Sequence, residues 1–405
     1  MITKGLLDKI YGAASIQRWN DHVRPVEFTE LDKQAHKMIL AYLIGKLEET
    51  EGHATIDWLK LIEGGIFEFF PRVILTDIKA PVFHKLMRRK GKEINALVLR
   101  VMDEDLTGLG GDFGHNFKRY LFDPGYAKLE KRILKAAHYL ATNWEFQIIY
   151  NTAPFIYGID KTKEEIENQI EDHYDLIGVQ KLALRKKSFG FMDLCAQLRF
   201  QQRWAHSPRV PKTSVLGHML IVAMMTYFCS MEMGACGKRA FNNFFSGLFH
   251  DLPEVLTRDI VSPVKTSVEG LEEIIKDYEK MQFEERILPL LPPSIQDEVV
   301  YFIQDEFSNR IIENGQVKKE IPGERMKECN RDDFSPVDGE VIRACDKLAA
   351  FIEASLSIRH GIRSQQLMEG METIYREYGD KRAGGIDFGP LFNYYRLPGG
   401  DDSAS

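Results

Sequence analysis

Cysteine is scarce and unpaired in this sequence. Its five cysteines, Cys195, Cys229, Cys236, Cys329 and Cys345, are odd in number and contain no C-x-x-C. That excludes a disulfide framework and a cysteine-based zinc site, and the thiols read as buried groups in a reducing cytoplasm. No uninterrupted apolar run reaches roughly 18 residues, so no membrane-spanning helix is expected. The opening stretch MITKGLLDKI is soon followed by Asp and Arg, unlike a signal peptide. Positive charge is in deficit: 53 Lys and Arg stand against 60 Asp and Glu, a net charge of −7. A field of that sign repels phosphate backbones and excludes a nucleic-acid binder driven by bulk charge. Strand-like alternation is rare. The glycines Gly108, Gly110, Gly111 and Gly114 form no G-x-G-x-x-G behind a strand, so no phosphate-cradling loop is indicated.

What is present is helical. With 44% hydrophobic residues the 405-residue chain can bury a sizeable core. Residues 31–50, 127–150, 213–233, 268–289 and 338–358 place apolar residues at spacings of three and four, the period of an amphipathic or buried helix. The expected fold class is all-α. Residues 151–162 carry Pro154 and Gly158, and 158–187 is rich in charge, which marks a junction. The expected organisation is a helical domain over 1–155, a linker over 156–187, a second domain over 188–380 and a C-terminal tail over 381–405. Within the second domain, 308–336 reads as a polar surface insert, and 397–405 as disordered.

The two halves resemble each other. IEGGIFEFFPRVILTDIKAPVF (62–83) aligns without a gap with FFSGLFHDLPEVLTRDIVSPVK (244–265), pairing Gly65 with Gly247, Pro71 with Pro253, Asp77 with Asp259 and Pro81 with Pro263. The same offset pairs His36 with His218. Upstream, Arg18-Trp19 resembles Arg203-Trp204 after a short slip. Downstream, ILKAAHYLATNWE (133–145) resembles VIRACDKLAAFIE (341–353), pairing His138 with Asp346. Four blocks in one order indicate two tandem copies of one helical unit.

In the second copy, His218 lies within the apolar run SVLGHMLIVAMMTYF, His250-Asp251 ends AFNNFFSGLFHD, and Asp346 interrupts RACDKLAAFIE. Buried imidazoles and carboxylates need partners. One divalent cation would satisfy all four, and two imidazoles with two carboxylates suit Mn, Co, Ni or Fe, with Mg less comfortable.

The ordered set H…HD…D, with HDLPEVLTRDIVSPVK and an upstream Arg-Trp, resembles the HD phosphohydrolase superfamily. More narrowly it resembles the branch of bacterial 5′-deoxynucleotidases, whose core reads HD-x-x-E-x-x-x-x-D-x-x-x-P-x-K. The resemblance implies His218, His250, Asp251 and Asp346 as metal ligands. It implies Arg203 and Trp204 as substrate contacts, Glu254 as the acidic residue near the attacking water, Asp259 as an active-site carboxylate and Lys265 as a phosphate contact. The first copy keeps His36, but reads Glu68-Phe69 at the HD position, Arg72 for Glu254, Phe83 for Lys265 and His138 for Asp346. It is expected to be degenerate and metal-free.

The expected activity is removal of phosphate from a nucleotide, most readily a (deoxy)nucleoside 5′-monophosphate, by a cytoplasmic, metal-dependent enzyme. The expected partner is a small-molecule nucleotide, not a membrane or a nucleic acid, and homo-oligomerisation stays open. Hydrolysis of a nucleoside triphosphate or alarmone on the same scaffold is an alternative, as is a nucleotide-sensing regulatory protein. The GYP signature of cyclic-dinucleotide phosphodiesterases does not follow HD; Gly125-Tyr126 stands in the other half.

Overall fold

The computed structural model describes residues 2–76, 78–258 and 270–397. The fold is all-α, as expected, and the few strands are pairs of two or three residues. In the first half, helices α1 (Lys4–Gly12), α2 (Glu30–Thr50), α3 (Trp58–Leu75), α4 (Ala80–Thr107), α5 (Phe113–Phe122) and α6 (Lys128–Thr152) follow one another. In the second, α10 (Val215–Glu232), α11 (Gly237–Phe249), α12 (Glu254–Thr257), α13 (Leu271–Gln282), α14 (Pro293–Ile303), α15 (Gly323–Glu328), α16 (Gly339–Arg359) and α17 (Gln365–Tyr378) follow in turn.

Between the halves, the stretch expected as a linker carries α7 (Ile159–Glu171) and α8 (Ile177–Ala183), leading into α9 (Lys187–Gln197). α7 packs on α6, and α8 on α2. The stretch expected as a tail carries α18 (Gly389–Tyr395), which packs on α16. Residues 398–405 lie outside the described residues. The polar insert contains the hairpin Ile311–Glu313/Gln316–Lys318 and α15, closed over a small core of Ile311, Met326 and Cys329.

Two long helices form the centre. α2 is capped by Thr29, whose Oγ1 accepts from Asp32 N at 3.2 Å. α10 is capped by Ser214, whose Oγ accepts from Gly217 N at 2.9 Å. Each cap satisfies a backbone donor that a helix start leaves open. The same Ser214 hydroxyl donates to Asp32 of α2, so the two helix starts are tied to each other.

α10 is more apolar than its interrupted runs suggest. α10 has the length and mean hydropathy (1.4) to cross a membrane, although no uninterrupted apolar run predicted such a helix. Interruptions at His218, Thr226 and Ser230 hid its overall apolarity. Its environment explains the composition: 89% of the helix is buried inside the fold, as the core element between α2, α11 and α16.

Candidate metal centre

Each member of the H…HD…D set is placed by a distinct piece of local structure. His218 lies one turn into α10, fully buried. His250 and Asp251 follow the last turn of α11. α11 can lie close to α10 because Gly247 meets the backbone of Ala223; a Cβ there would come within 2.9 Å of Ala223 Cα. That approach brings the His218 and His250 rings to 5.5 Å between centroids. Asp346 projects from α16, which also packs on α10.

Side-chain atoms of His218, His250 and Asp346 lie within 4.8 Å of one another. His218 Nε2 is 3.0 Å from Asp346 Oδ1 and 3.9 Å from Asp251 Oδ2. His250 Nε2 is 3.2 Å from Asp251 Oδ2. The four predicted ligands are thus brought together.

Outer contacts turn the imidazoles inward. His250 Nδ1 donates to the carbonyl of Gly247 at 2.8 Å, which leaves Nε2 as the ring nitrogen facing the cluster. His218 Nδ1 lies 3.3 Å from Glu353 Oε1. His250 Nε2 and Asp251 Oδ2 are buried without a hydrogen-bond partner. The two atoms face each other at 3.2 Å without hydrogen-bond geometry, as donor atoms gathered around a shared cation would. A divalent cation is the group that this donor set fits, with His218, His250, Asp251 and Asp346 holding it.

The electrostatics agree. Burial works against a charge on His250, but the Asp251 carboxylate outweighs it and raises the imidazole to about 9. Burial likewise opposes ionisation of Asp251 and Asp346. His250 nonetheless holds Asp251 below the usual carboxylate range, and Lys347 with His218 holds Asp346 there. Glu353, also buried, is lowered to about 2 chiefly by Arg209 and His218.

Arg203 overlooks this cluster. Its guanidinium lies 3.8 Å from Asp251 Oδ2, 3.7 Å from Asp346 Oδ1 and 3.9 Å from Glu353 Oε2. It is set there by a short antiparallel bridge between Gln202 and Ser214, and Arg203 N donates to Thr213 O at 3.0 Å. Trp204 has a left-handed backbone (φ 56°), uncommon for a bulky residue, and its indole packs against Gly370 of α17. No described contact joins Trp204 to the ligands. Glu254 is buried at the start of α12, and its backbone carbonyl accepts from Gln201 Nε2 at 3.1 Å. Asp259 and Lys265 lie outside the described residues.

Sequence reasoning missed two members of the site. Lys347 Nζ lies 3.2 Å from Asp346 Oδ2. Glu353 follows Asp346 by two turns on the same face of α16 and accepts from Thr213 Oγ1 at 3.0 Å. An acidic residue on a buried stripe is the signal that could have found it.

Residues 195–375 match the family model of the HD domain. The matched segment is under half of the chain and contains every residue named above from Arg203 to Glu353. HD domains are metal-dependent hydrolases in general, and the match supports a metal-dependent hydrolase in general without specifying its substrate. No curated protein matches the chain.

Proposed function

We propose that the chain is a metal-dependent phosphohydrolase that removes phosphate from a nucleotide, most readily a (deoxy)nucleoside 5′-monophosphate. The observation that carries this reading is the convergence of His218, His250, Asp251 and Asp346 beneath the Arg203 guanidinium. A bound divalent cation would polarise a phosphoryl oxygen and acidify water. Arg203 is placed to neutralise the remaining phosphoryl oxygens by charge-assisted hydrogen bonds. Glu254 is the carboxylate offered for orienting the attacking water. On the resemblance, Asp259 shares that task, Lys265 contacts phosphate and Trp204 contacts the nucleoside.

The first half is proposed to be a degenerate copy of the same unit. Trp19 and Trp204 share a left-handed backbone (φ 57° and 56°), as do the aligned Thr76 and Arg258 (φ 54° and 69°). Arg18 Nε donates to Glu145 Oε2 at 2.9 Å, and the aligned Arg203 and Glu353 also face each other. The five free thiols support a reducing, cytoplasmic setting.

The test is a screen of purified protein with Mn, Co or Mg against nucleoside mono- and triphosphates, reading phosphate and pyrophosphate separately. Phosphate release from monophosphates is expected. Pyrophosphate release from triphosphates alone would replace this reading by the triphosphatase alternative.

A further inference from the structure

The first half buries an unusual group of cations. Lys33 and Lys37, one turn apart on α2, are both fully buried. Lys37 Nζ donates to Glu68 Oε2 at 3.2 Å, and Tyr120 donates to the other oxygen of Glu68 at 2.7 Å. Lys33 has no carboxylate partner among the described residues; its ammonium meets the ring of His138. Arg18 is already matched, by Glu30 and Glu145, both at 2.9 Å. Arg72 stands at the half-buried rim, its guanidinium 4.7 Å from the Phe83 ring.

Among the described residues, Arg18, Lys33, Lys37 and Arg72 therefore face only Glu30 and Glu68 in addition to the Glu145 shared with Arg199. An ammonium taken out of water beside an imidazole alone carries a cost of several kcal/mol, which drives Lys33 toward the neutral amine unless an anion is bound. A bound dianion would recover that cost, because it supplies both the missing charge and several acceptors. Geometry is supported by the field: burial depresses Lys33 far below the usual lysine range, Glu30 opposes this, and Arg18, Arg72 and Lys37 deepen it. His138 is depressed by burial, Lys33 and Arg72. Cationic side chains cannot ligate a metal, so this group of side chains selects the opposite sign of ligand from the HD cluster.

We propose that this cluster is a second, metal-free site that binds a phosphate group through Lys33, Lys37 and Arg72, entering past the half-buried His138, Glu68 and Arg72. The shared chemistry is a phosphoryl dianion, free or carried by a nucleotide. The inference stands on these side chains and does not depend on the activity of the second half or on the duplication.

The experiment is calorimetric titration of the full-length protein with inorganic phosphate and, separately, with thymidine 5′-monophosphate. Asp346→Asn removes a ligand of the HD cluster and should leave this binding in place. Lys33→Met and Lys37→Met should each weaken it about tenfold or more, and so should Arg72→Gln at the half-buried rim, where folding is not at stake. Glu68→Gln should act in the opposite direction, tightening phosphate severalfold by releasing Lys37 from its competitor, which a folding defect cannot mimic. Tighter binding of thymidine monophosphate than of phosphate would identify a nucleotide as the ligand; equal affinity would identify free phosphate. Unchanged affinity in both lysine variants, or binding lost in Asp346→Asn and kept in Lys33→Met, would overturn the proposal.

Discussion

His218 Nδ1 lies 3.3 Å from Glu353 Oε1, two helical turns beyond Asp346 on α16. One helix therefore supplies both a candidate ligand and the carboxylate that orients another ligand. Glu353 is itself held by Thr213 at 3.0 Å and by Arg209 Nη1 at 3.3 Å. A carboxylate behind a metal-bound imidazole fixes its ring and raises its basicity, and losing it typically costs about 10–100-fold in metal affinity. Glu353→Gln keeps the shape and should weaken metal binding by that order in a chelator competition titration. Unaltered affinity would show that Glu353 serves only to neutralise Arg209.

Asp251→Ala should lose most of the bound metal by elemental analysis of protein purified in parallel with wild type. Asp251 Oδ2 lies within 4 Å of both imidazoles, 3.2 Å from His250 Nε2 and 3.9 Å from His218 Nε2. Wild-type stoichiometry in the variant would remove Asp251 from the ligand set.

The ligands were legible because the signal was collective. Any one of His218, His250 or Asp346 is an ordinary buried polar residue, but their order along three apolar helices is not. Glu353 and Lys347 belong to no motif; only the packing of α16 against α10 and the segment leading into it at Thr213 reveals what they face. The helices were legible from periodicity, since burial of one stripe repeats every three to four residues. The charge-rich 158–187 was harder, because α7 buries only Ile159 and Ile166, α8 is short, and the composition resembles a linker. Lys33 and Lys37 were invisible for a similar reason: a lysine on a helix normally faces water, and these two are turned inward by contacts with residues distant in sequence.

Acid and base should act oppositely on the metal-free protein. His250 in the folded state titrates at about 9, above the roughly 6.5 of an unfolded histidine. Its ion pair with Asp251 therefore contributes fully below about pH 6.5 and is lost as pH rises through 9. Asp251 is shifted down, so its share is present above the unfolded value near 4 and is lost on acidification. Thermal melting of chelator-treated protein should peak between these limits and decline toward pH 9. Metal must displace the His250 proton, so apparent metal affinity should rise over the same alkaline range. A flat affinity from pH 6.5 to 9 would contradict the assignment of His250 as a ligand.

Turnover should separate the two halves. Glu68→Ala and His138→Ala should leave it almost intact, whereas His250→Ala and Asp346→Ala should abolish it. In the first half the positions aligned with ligands carry His36, Glu68, Phe69 and His138; Phe69 cannot coordinate a metal, and Lys33 and Lys37 bring positive charge against His138 and Glu68. A Glu68→Ala variant as inactive as His250→Ala would show that both halves carry chemistry.

The first half should nonetheless be indispensable to the fold of the second. Tyr42 of α2 sits inside the aromatic cluster of the HD segment, with ring centroids 4.8 Å from Phe245, 5.3 Å from Phe249 and 6.0 Å from Phe302. Its hydroxyl donates to Glu298 Oε2 at 2.8 Å. Phe249 immediately precedes His250, so this packing braces the turn that presents two of the candidate ligands. The bond from Ser214 to Asp32 ties the start of α10, one turn before His218, to the same neighbour. Removing residues 1–155 would strip both contacts and expose Phe245, Phe249 and the buried face of α10, an apolar surface that proteins rarely leave bare. The 186–405 fragment should be insoluble or self-associating by light scattering. In the intact chain, Tyr42→Ala should cost about 3–5 kcal/mol in denaturant unfolding, the range for deleting a large buried aromatic ring. Tyr42→Phe should lose only the hydrogen bond, on the order of 1 kcal/mol, plus the smaller cost of leaving Glu298 to Lys46 and Lys238. A soluble, monomeric and fully active 186–405 fragment would refute this bracing role, since the HD segment would then hold His250 in place without any contact from α2.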